Sequence, residues 1–308
     1  MITLEKITKT YDGKTAVKEI DLNIQAGSIF GLIGPNGAGK TTTLKMISTL
    51  IKPDDGKITV CGLDSRREVK EARRILGYMP DQFGTFRGVT CEEYLQFFGR
   101  SYDLHGKPLA ERIGAVLALT DLTGLREELA TALSTGMRQR LALAKTLLHD
   151  PKVLVLDEPA SGLDPRARIE VRSLLKELGK MGKTVIISSH ILADLEEICT
   201  DVAIIELGRV VWTGALGVAK KELRSQRFGV ALEVPEEDAP RAAELLKALD
   251  GVLKVESSGG EIKAKLDGRH GNRILKALID AGVEIVSFSE EKVDLEAIFL
   301  ERTQGIVS

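Results

Sequence analysis

The chain of 308 residues is short of the residue types that specialise a protein for disulfide chemistry, for the bilayer or for nucleic acid. It has three cysteines, Cys61, Cys91 and Cys199, an odd number with no CxxC pair. That excludes a disulfide framework and a paired-cysteine zinc module, and three isolated thiols fit a reducing compartment. Nowhere do roughly 18 apolar residues run together, so no segment is expected to span a bilayer. The start, MITLEKITKTYDGK, has no apolar core of the kind a signal peptide needs. Net charge is −2, from 43 basic and 45 acidic residues, which leaves no basic excess for nucleic acid. The basic run RREVKEARR at 66–74 carries glutamates at helical spacing and reads as a solvated helix face. A cytoplasmic location is expected, with any membrane association made through a partner.

What is present describes an ordinary globular protein, 43% hydrophobic and 29% charged, long enough for one large domain and one small one. Strands are expected over 2–8 and 15–24, joined by the turn YDGK, and over 28–34, where SIFGLIG runs into glycines. KTTTLKMISTL at 40–50 reads as a helix, PDDG at 53–56 as a turn before a strand pair near 57–62, and 66–149 as mostly helical. Three further apolar runs, VLVLDEP at 153–159, TVIISSH at 184–190 and DVAIIELG at 201–208, read as strands buried on both faces of a mainly parallel sheet in an α/β fold. Near KKELRSQ at 220–226 the character changes. FGVALEV, RAAELLKAL, VLKVES, EIKAKLD, NRILKALIDA and VEIVSFS then alternate as βαββαβ, the order of a ferredoxin-like α+β domain. A last helix is expected over 294–303. The boundaries expected are 1–220 for the large domain, with a helical subdomain at about 85–150, and 221–308 for the small one.

GPNGAGKTT at 34–42 matches the phosphate-binding loop: Gly34, Pro35, Asn36, Gly37, Ala38, Gly39, Lys40, Thr41 and Thr42. Glycines let backbone N–H groups curl around phosphates, and the helix that follows adds partial positive charge. In such a loop Lys40 serves the β- and γ-phosphates of ATP and the Thr41 hydroxyl binds Mg²⁺. The strand VLVLDEP delivers Asp157 and Glu158 to the carboxyl edge of the sheet, where ligands bind in open α/β folds. Asp157 suits the Mg²⁺ shell, and Glu158 suits a general base or water-orienting group. His190 leaves the same edge and is placed to bond the γ-phosphate or the attacking water.

LSTGMRQRL at 133–141 opens a helix with no nucleophile, base or metal ligand of its own. The series GPNGAGKTT, LSTGMRQRL, VLVLDEPASGLD and ISSH, in that order, resembles the ATPase subunit of an ABC transporter, over residues 2–220. The resemblance implies a P-loop ABC ATPase core with an antiparallel β subdomain and a helical subdomain. It also implies a homodimer that sandwiches ATP, in which Ser134, Gly136 and Met137 cap the γ-phosphate held by the other copy. By the same match Tyr11 is the residue that stacks on adenine and Asp164 is the aspartate that acts across the interface. Thr135 stands where a glycine is commoner. The partner implied is a membrane permease. Seven of the thirteen aromatic residues fall in 78–102, the region that receives it, and Phe83 or Phe86 is the expected contact. The C-terminal addition resembles export-type subunits. The alternative class, a soluble ABC ATPase acting as a mechanical or regulatory module, usually carries two cores or a long insertion, and neither is present.

The family usually has glutamine just after the YxP turn, where it touches Mg²⁺ or its water. Here that position is Asp81, and Gln82 follows. Neighbours in an extended segment point to opposite sides, so one of the two faces the metal, and counting from Pro80 selects Asp81. Asp81→Asn is expected to weaken the Mg²⁺ dependence of ATP hydrolysis while Gln82→Ala changes it little; titration of Mg²⁺ against rate for both variants checks the register.

Overall fold

A computed structural model describes residues 1–82, 84–226, 228–268, 270–290 and 295–302. Phe83 lies outside them. The chain divides into two compact units, Met1–Leu216 together with the end of the chain from Phe299, and Gly217–Ile298.

The first unit opens with a hairpin, β1 (Ile2–Tyr11) and β2 (Lys14–Ile24). Asp12 and Gly13 both have positive φ, 45° and 81°, as a two-residue type I′ connection requires. β3 (Ile29–Ile33) is buried throughout and leads through the glycine-rich loop into α1 (Lys40–Ile47). Then come β4 (Asp55–Val60), β5 (Leu63–Asp64), α2 (Val69–Ile75) and β6 (Leu76–Met79). Three helices follow, α3 (Cys91–Ser101), α4 (Gly106–Leu119) and α5 (Thr135–Leu147). A reciprocal capping box starts α3: the Thr90 hydroxyl accepts from the Glu93 N–H, and the Glu93 carboxylate accepts from the Thr90 N–H. β7 (Val153–Asp157), α6 (Pro165–Lys180), β8 (Thr184–Ser188), α7 (Leu192–Ile198), β9 (Asp201–Glu206) and β10 (Arg209–Ala215) complete the first unit, and α8 (Leu216–Gln226) opens the second.

These strands make a six-stranded sheet, order β10-β9-β3-β8-β7-β6, and a four-stranded antiparallel sheet, order β2-β1-β4-β5. In the larger sheet only the β9–β10 pairing is antiparallel. One core joins the two sheets: Leu44, Met46 and Ile47 of α1 pack with Ile2, Leu4, Ile20 and Ile58 of the antiparallel sheet and with Phe30, Val155 and Ile186 of the parallel one. Each fully buried side chain of this size contributes about 1.5–3 kcal/mol, so α1 is held from both sides.

The stretch 66–149, expected to be mostly helical, contains β6, the edge strand of the parallel sheet. Its four residues, LGYM, are too few for a periodicity to show, and Gly77 interrupts the apolar run. That glycine is there because the backbone of α5 comes close: a Cβ at Gly77 would stand 2.8 Å from the Thr146 carbonyl and 2.9 Å from Pro151 Cγ.

The second unit contains β11 (Phe228–Glu233), α9 (Ala239–Lys247), β12 (Val252–Ser258), β13 (Glu261–Leu266), α10 (Gly271–Asp280) and β14 (Ser287–Glu290), and α11 (Leu295–Arg302) follows. The sheet order β12-β13-β11-β14, antiparallel throughout, is the ferredoxin-like arrangement of a βαββαβ chain. Its core sets Val230, Leu232, Ile262 and Leu266 against Leu246, Ile274 and Leu278 of the helices.

His149, just past α5, fastens that helix to β6. Its Nε2–H donates to the Leu76 carbonyl at 2.9 Å, and its ring stacks on Tyr102 at 3.9 Å. Nδ1 is buried without a partner among the described residues, and burial is the main cause that holds the imidazole below its ordinary value. The unfolded chain therefore takes up this proton first, so the stability is full above about pH 6.5 and is lost as pH falls below it. Thermal melts from pH 8 to 5.5 are expected to show a larger fall in midpoint for the wild type than for His149→Gln, which keeps a donor for Leu76.

Candidate nucleotide site

The loop between β3 and α1 borders a cleft of about 380 Å³ lined by Tyr11, Asn36, Lys40, Thr41, Thr42, Asp81 and Glu158, among others. Gly37 and Gly39 adopt φ of 80° and 103°, the left-handed region where glycine alone is unstrained. The loop is also jammed against backbone on two sides. A Cβ at Gly34 would collide with the Ile205 carbonyl of β9, and one at Gly39 would stand 2.6 Å from the Ala16 carbonyl of β2. Lys40 is buried and donates to the carbonyls of Gly34 at 2.7 Å and Pro35 at 3.1 Å. Its ammonium is held below the ordinary lysine value by burial, which the charges of Glu158 and Asp157 oppose.

Asp157 ends β7 only 1% exposed. Its Oδ1 accepts from the Ser188 hydroxyl at 2.6 Å and from the Thr41 hydroxyl at 3.2 Å. Ser188 also accepts from the Glu158 N–H at 3.0 Å. One hydroxyl at the end of β8 thus holds the side chain of the first acid and the backbone of the second. Glu158 has φ of 50°, a left-handed conformation uncommon for a residue other than glycine. His190 Nδ1–H donates to Glu158 Oε2 at 2.8 Å, the histidine half-exposed and the carboxylate largely covered.

The structure therefore brings Tyr11, the loop, Asp81 and Glu158 into one cleft, with Asp157 and His190 bonded to it; Gln82 does not line it. Lys9 Nζ lies 5.5 Å from the centre of the Tyr11 ring, a cation–π distance. Ser134, Gly136, Met137 and Asp164 lie outside this cleft, at the entrances of two neighbouring helices. Ser134 caps α5 by accepting from the Met137 N–H at 3.3 Å, and Met137 is exposed. Asp164 caps α6 by accepting from the N–H groups of Arg166 and Ala167, both at 3.0 Å. The two entrances touch, since a Cβ at Gly136 would be 3.1 Å from the Ala167 methyl. Thr135 has a use of its own, accepting from Arg138 Nη2 at 3.2 Å.

Ser188 and Tyr78 escaped the sequence reading. Ser188 is the one hydroxyl closing the buried run TVIIS, a signal that could have been read. The Tyr78 hydroxyl is buried with no hydrogen-bond partner among the described residues. Burial, with the negative charge of Asp157 and Asp81, pushes its phenol far up, and no sequence pattern marks it.

Among the described residues no cluster of three or more His, Cys, Asp and Glu is placed to hold a metal ion alone. The donors at hand are the Asp157 carboxylate and the Thr41 hydroxyl, hard oxygens that suit Mg²⁺ sharing its shell with phosphates. No helix among the described residues is long and apolar enough to cross a membrane.

A phosphate loop, a strand-end acid pair and, outside their cleft, a serine-capped helix entrance belong together in one class. This chain belongs to the ATP-binding subunits of ABC transporters, which bind nucleotide and hydrolyse ATP. Within that class it is of the kind that carries a DrrA-like C-terminal domain. The family described as ABC transporter matches residues 17–161, and the family described as ATP-binding protein DrrA1-3-like, C-terminal domain, matches residues 219–303. The chain is 34% identical over 302 residues to the daunorubicin/doxorubicin resistance ATP-binding protein DrrA of Streptomyces peucetius, covering 96% of this chain and 90% of the relative. It is 31% identical over 309 residues to the linearmycin resistance ATP-binding protein LnrL of Bacillus subtilis, covering 98% of each. A solved dimeric ATP-binding cassette in a post-hydrolysis state, bound to ADP and Pi, is similar with a TM-score of 0.65 and 27% identity, over 70% of this chain and 99% of that one.

Removing the Ser188 hydroxyl takes a partner from both acids at once. Ser188→Ala is expected to lower kcat tenfold or more, since two hydrogen bonds of about 1 kcal/mol each are lost and about 1.4 kcal/mol is tenfold in rate. Ser188→Thr, which keeps the hydroxyl, is expected to retain more activity in the same steady-state assay.

Proposed function

We propose that this chain is the ATP-hydrolysing subunit of an exporter, and that two copies close on ATP to drive a separate membrane permease. The observation that carries the reading is the bond between His190 and Glu158 at the rim of the phosphate-loop cleft, beside the buried Asp157. The ATPase domain proposed is 1–220, with its helical subdomain at about 85–150, and the small C-terminal domain is 221–308. The resistance named for both relatives supports export over a soluble mechanical module.

In this reading the N–H groups of residues 36–42 bind the phosphates. Lys40 leaves the carbonyls of Gly34 and Pro35 for the β- and γ-phosphates, a move that restores full solvation of its charge by anionic oxygens. Thr41, Asp157 and Asp81 hold Mg²⁺, which supplies charge neutralisation at the phosphates when bound. Glu158 orients the attacking water or takes its proton. His190 keeps Glu158 in place through Nδ1 and leaves Nε2 for the γ-phosphate or the water. Tyr11 packs against adenine. Ser134, Gly136, Met137 and Asp164, which lie outside the cleft, serve the nucleotide of the second copy. Phe86, about half exposed in a cluster with Phe97, Phe98 and Tyr94, is the proposed contact with the permease, which places the chain at the cytoplasmic face of the membrane.

Glu158→Gln keeps the phosphate cradle and removes the carboxylate. It is expected to bind ATP while hydrolysis falls by about a hundredfold or more, and a Mg²⁺–ATP dimer is expected to accumulate on a sizing column. Hydrolysis at the wild-type rate would remove Glu158 from the proposed role.

A further inference from the structure

The turn PDDG at 53–56, which the reaction as described leaves unused, holds the strand end that carries Tyr11. Asp54, its second residue, bonds three successive residues of β1. Its N–H donates to the Thr8 carbonyl at 2.8 Å. Its Oδ1 accepts from Lys9 Nζ at 2.7 Å, and its Oδ2 accepts from the Thr10 N–H at 2.7 Å. Both carboxylate oxygens are therefore committed to the two residues just before Tyr11. Those bonds, the one from Lys9 first, hold the carboxyl below the ordinary aspartate value, so the pair is charged at neutral pH.

The turn is itself fixed at both ends. The Pro53 carbonyl accepts from Arg66 Nη2 at 2.5 Å. Gly56 has φ of 84°, and a Cβ there would collide with the carbonyls of Glu5 and Lys6 in β1. Backbone lies on backbone at that point, which only glycine permits. Asp54 thus reaches β1 from a rigid support.

Lys9 passes this order on to Tyr11. Its side chain is only 17% exposed, whereas Tyr11 is 43% exposed. The ammonium stands over the Tyr11 ring. Tyr11 borders the nucleotide cleft and Lys9 does not, so the ammonium backs the ring from outside the cleft. An exposed tyrosine at a hairpin tip ordinarily exchanges rotamers, and ordering it opposes the binding of a stacked base. Here a cation already stands against the ring, and a carboxylate holds the cation. The ordering is done before nucleotide arrives.

We propose that Asp54 and Lys9 are positioning residues for the nucleotide base: Asp54 anchors the end of β1 and the Lys9 ammonium, and Lys9 braces the Tyr11 ring for adenine. The inference rests on the stacking of Tyr11 on adenine given above. It differs from a plain surface ion pair in one respect. A surface pair acts on the stability of the hairpin, whereas a brace acts on the base of the nucleotide and on nothing that the phosphates touch.

The test uses the full chain with Asp54→Asn, Lys9→Met and Tyr11→Ala, and the two double variants that add either of the first to Tyr11→Ala. It reads kcat and KM for Mg²⁺–ATP, the inhibition constant of inorganic triphosphate against hydrolysis, and the melting midpoint. Asp54→Asn keeps an acceptor for the Thr10 N–H and removes the charge that holds Lys9. Lys9→Met keeps most of the stem and removes the ammonium. Each is expected to raise KM about two- to tenfold, the equilibrium effect of having to order one side chain, with kcat and midpoint unchanged. Triphosphate has no base, so its inhibition constant is expected to stay at the wild-type value. In Tyr11→Ala neither change is expected to raise KM further, because the ring they brace is gone. An unchanged KM, an equal weakening of triphosphate, or a further loss in Tyr11→Ala would each overturn the brace. Tyr11→Ala alone separates the two readings: if it raises KM while Asp54→Asn and Lys9→Met do not, the brace alone fails; if it leaves KM at the wild-type value, the stacking beneath it fails.

Discussion

Gly34 and Gly39 bring the phosphate loop into backbone contact with β9 on one side and β2 on the other, closer than any side chain permits. Because α1 begins at the end of this loop and packs into a core shared by both sheets, the loop is not a flexible surface turn. Its N–H groups are held in place by two sheets that are themselves buried against each other. Everything else in the site takes its position from this clamp: Thr41 meets Asp157 because α1 starts where it does, and Tyr11 reaches the cleft because β1 and β2 flank the loop.

Electrostatically the site is a set of half-committed groups. Lys40 rests on two carbonyls, weak acceptors for an ammonium beside the stronger oxyanions of a phosphate. Asp157 shares one oxygen between two hydroxyls, and its other oxygen has no hydrogen bond to either of them. Glu158 is bonded to a histidine that is itself half in solvent. Each group is oriented by protein on one side and open on the other. That is the arrangement preorganisation demands, since the orienting bonds are made before the reacting groups arrive.

Much of this was legible in the sequence because it depends on local pattern. A glycine loop between a buried strand and a helix, two acids closing an apolar run, and a βαββαβ alternation each leave a signature within a dozen residues. What was not legible depends on distant backbone. β6 was lost because its identity as a strand comes from pairing with β7 and from the approach of α5 at Gly77, neither of which four residues can announce. Tyr78 and Asp54 look like an ordinary core aromatic and an ordinary turn acid. Only burial beside Asp157, or two bonds to the strand end before Tyr11, gives them meaning. Ser188 stands between these cases, visible as a hydroxyl in an apolar strand but silent about the two acids it joins.

The contact of Gly77 with α5 also has a mechanical side. At that point the helix lies on β6 backbone to backbone, and the His149 bond to Leu76 fastens it just beyond its last turn. Its other half, towards Ser134, lies on α6 through Gly136 and Ala167 and is paired there through Arg140 with Glu170 and Asp121. Thirteen residues at about 1.5 Å each make a bar of roughly 20 Å, held in both halves. The helix is therefore a strut held along its length, and one element fixes the spacing between the edge strand that leads to Asp81 and the entrance at Ser134.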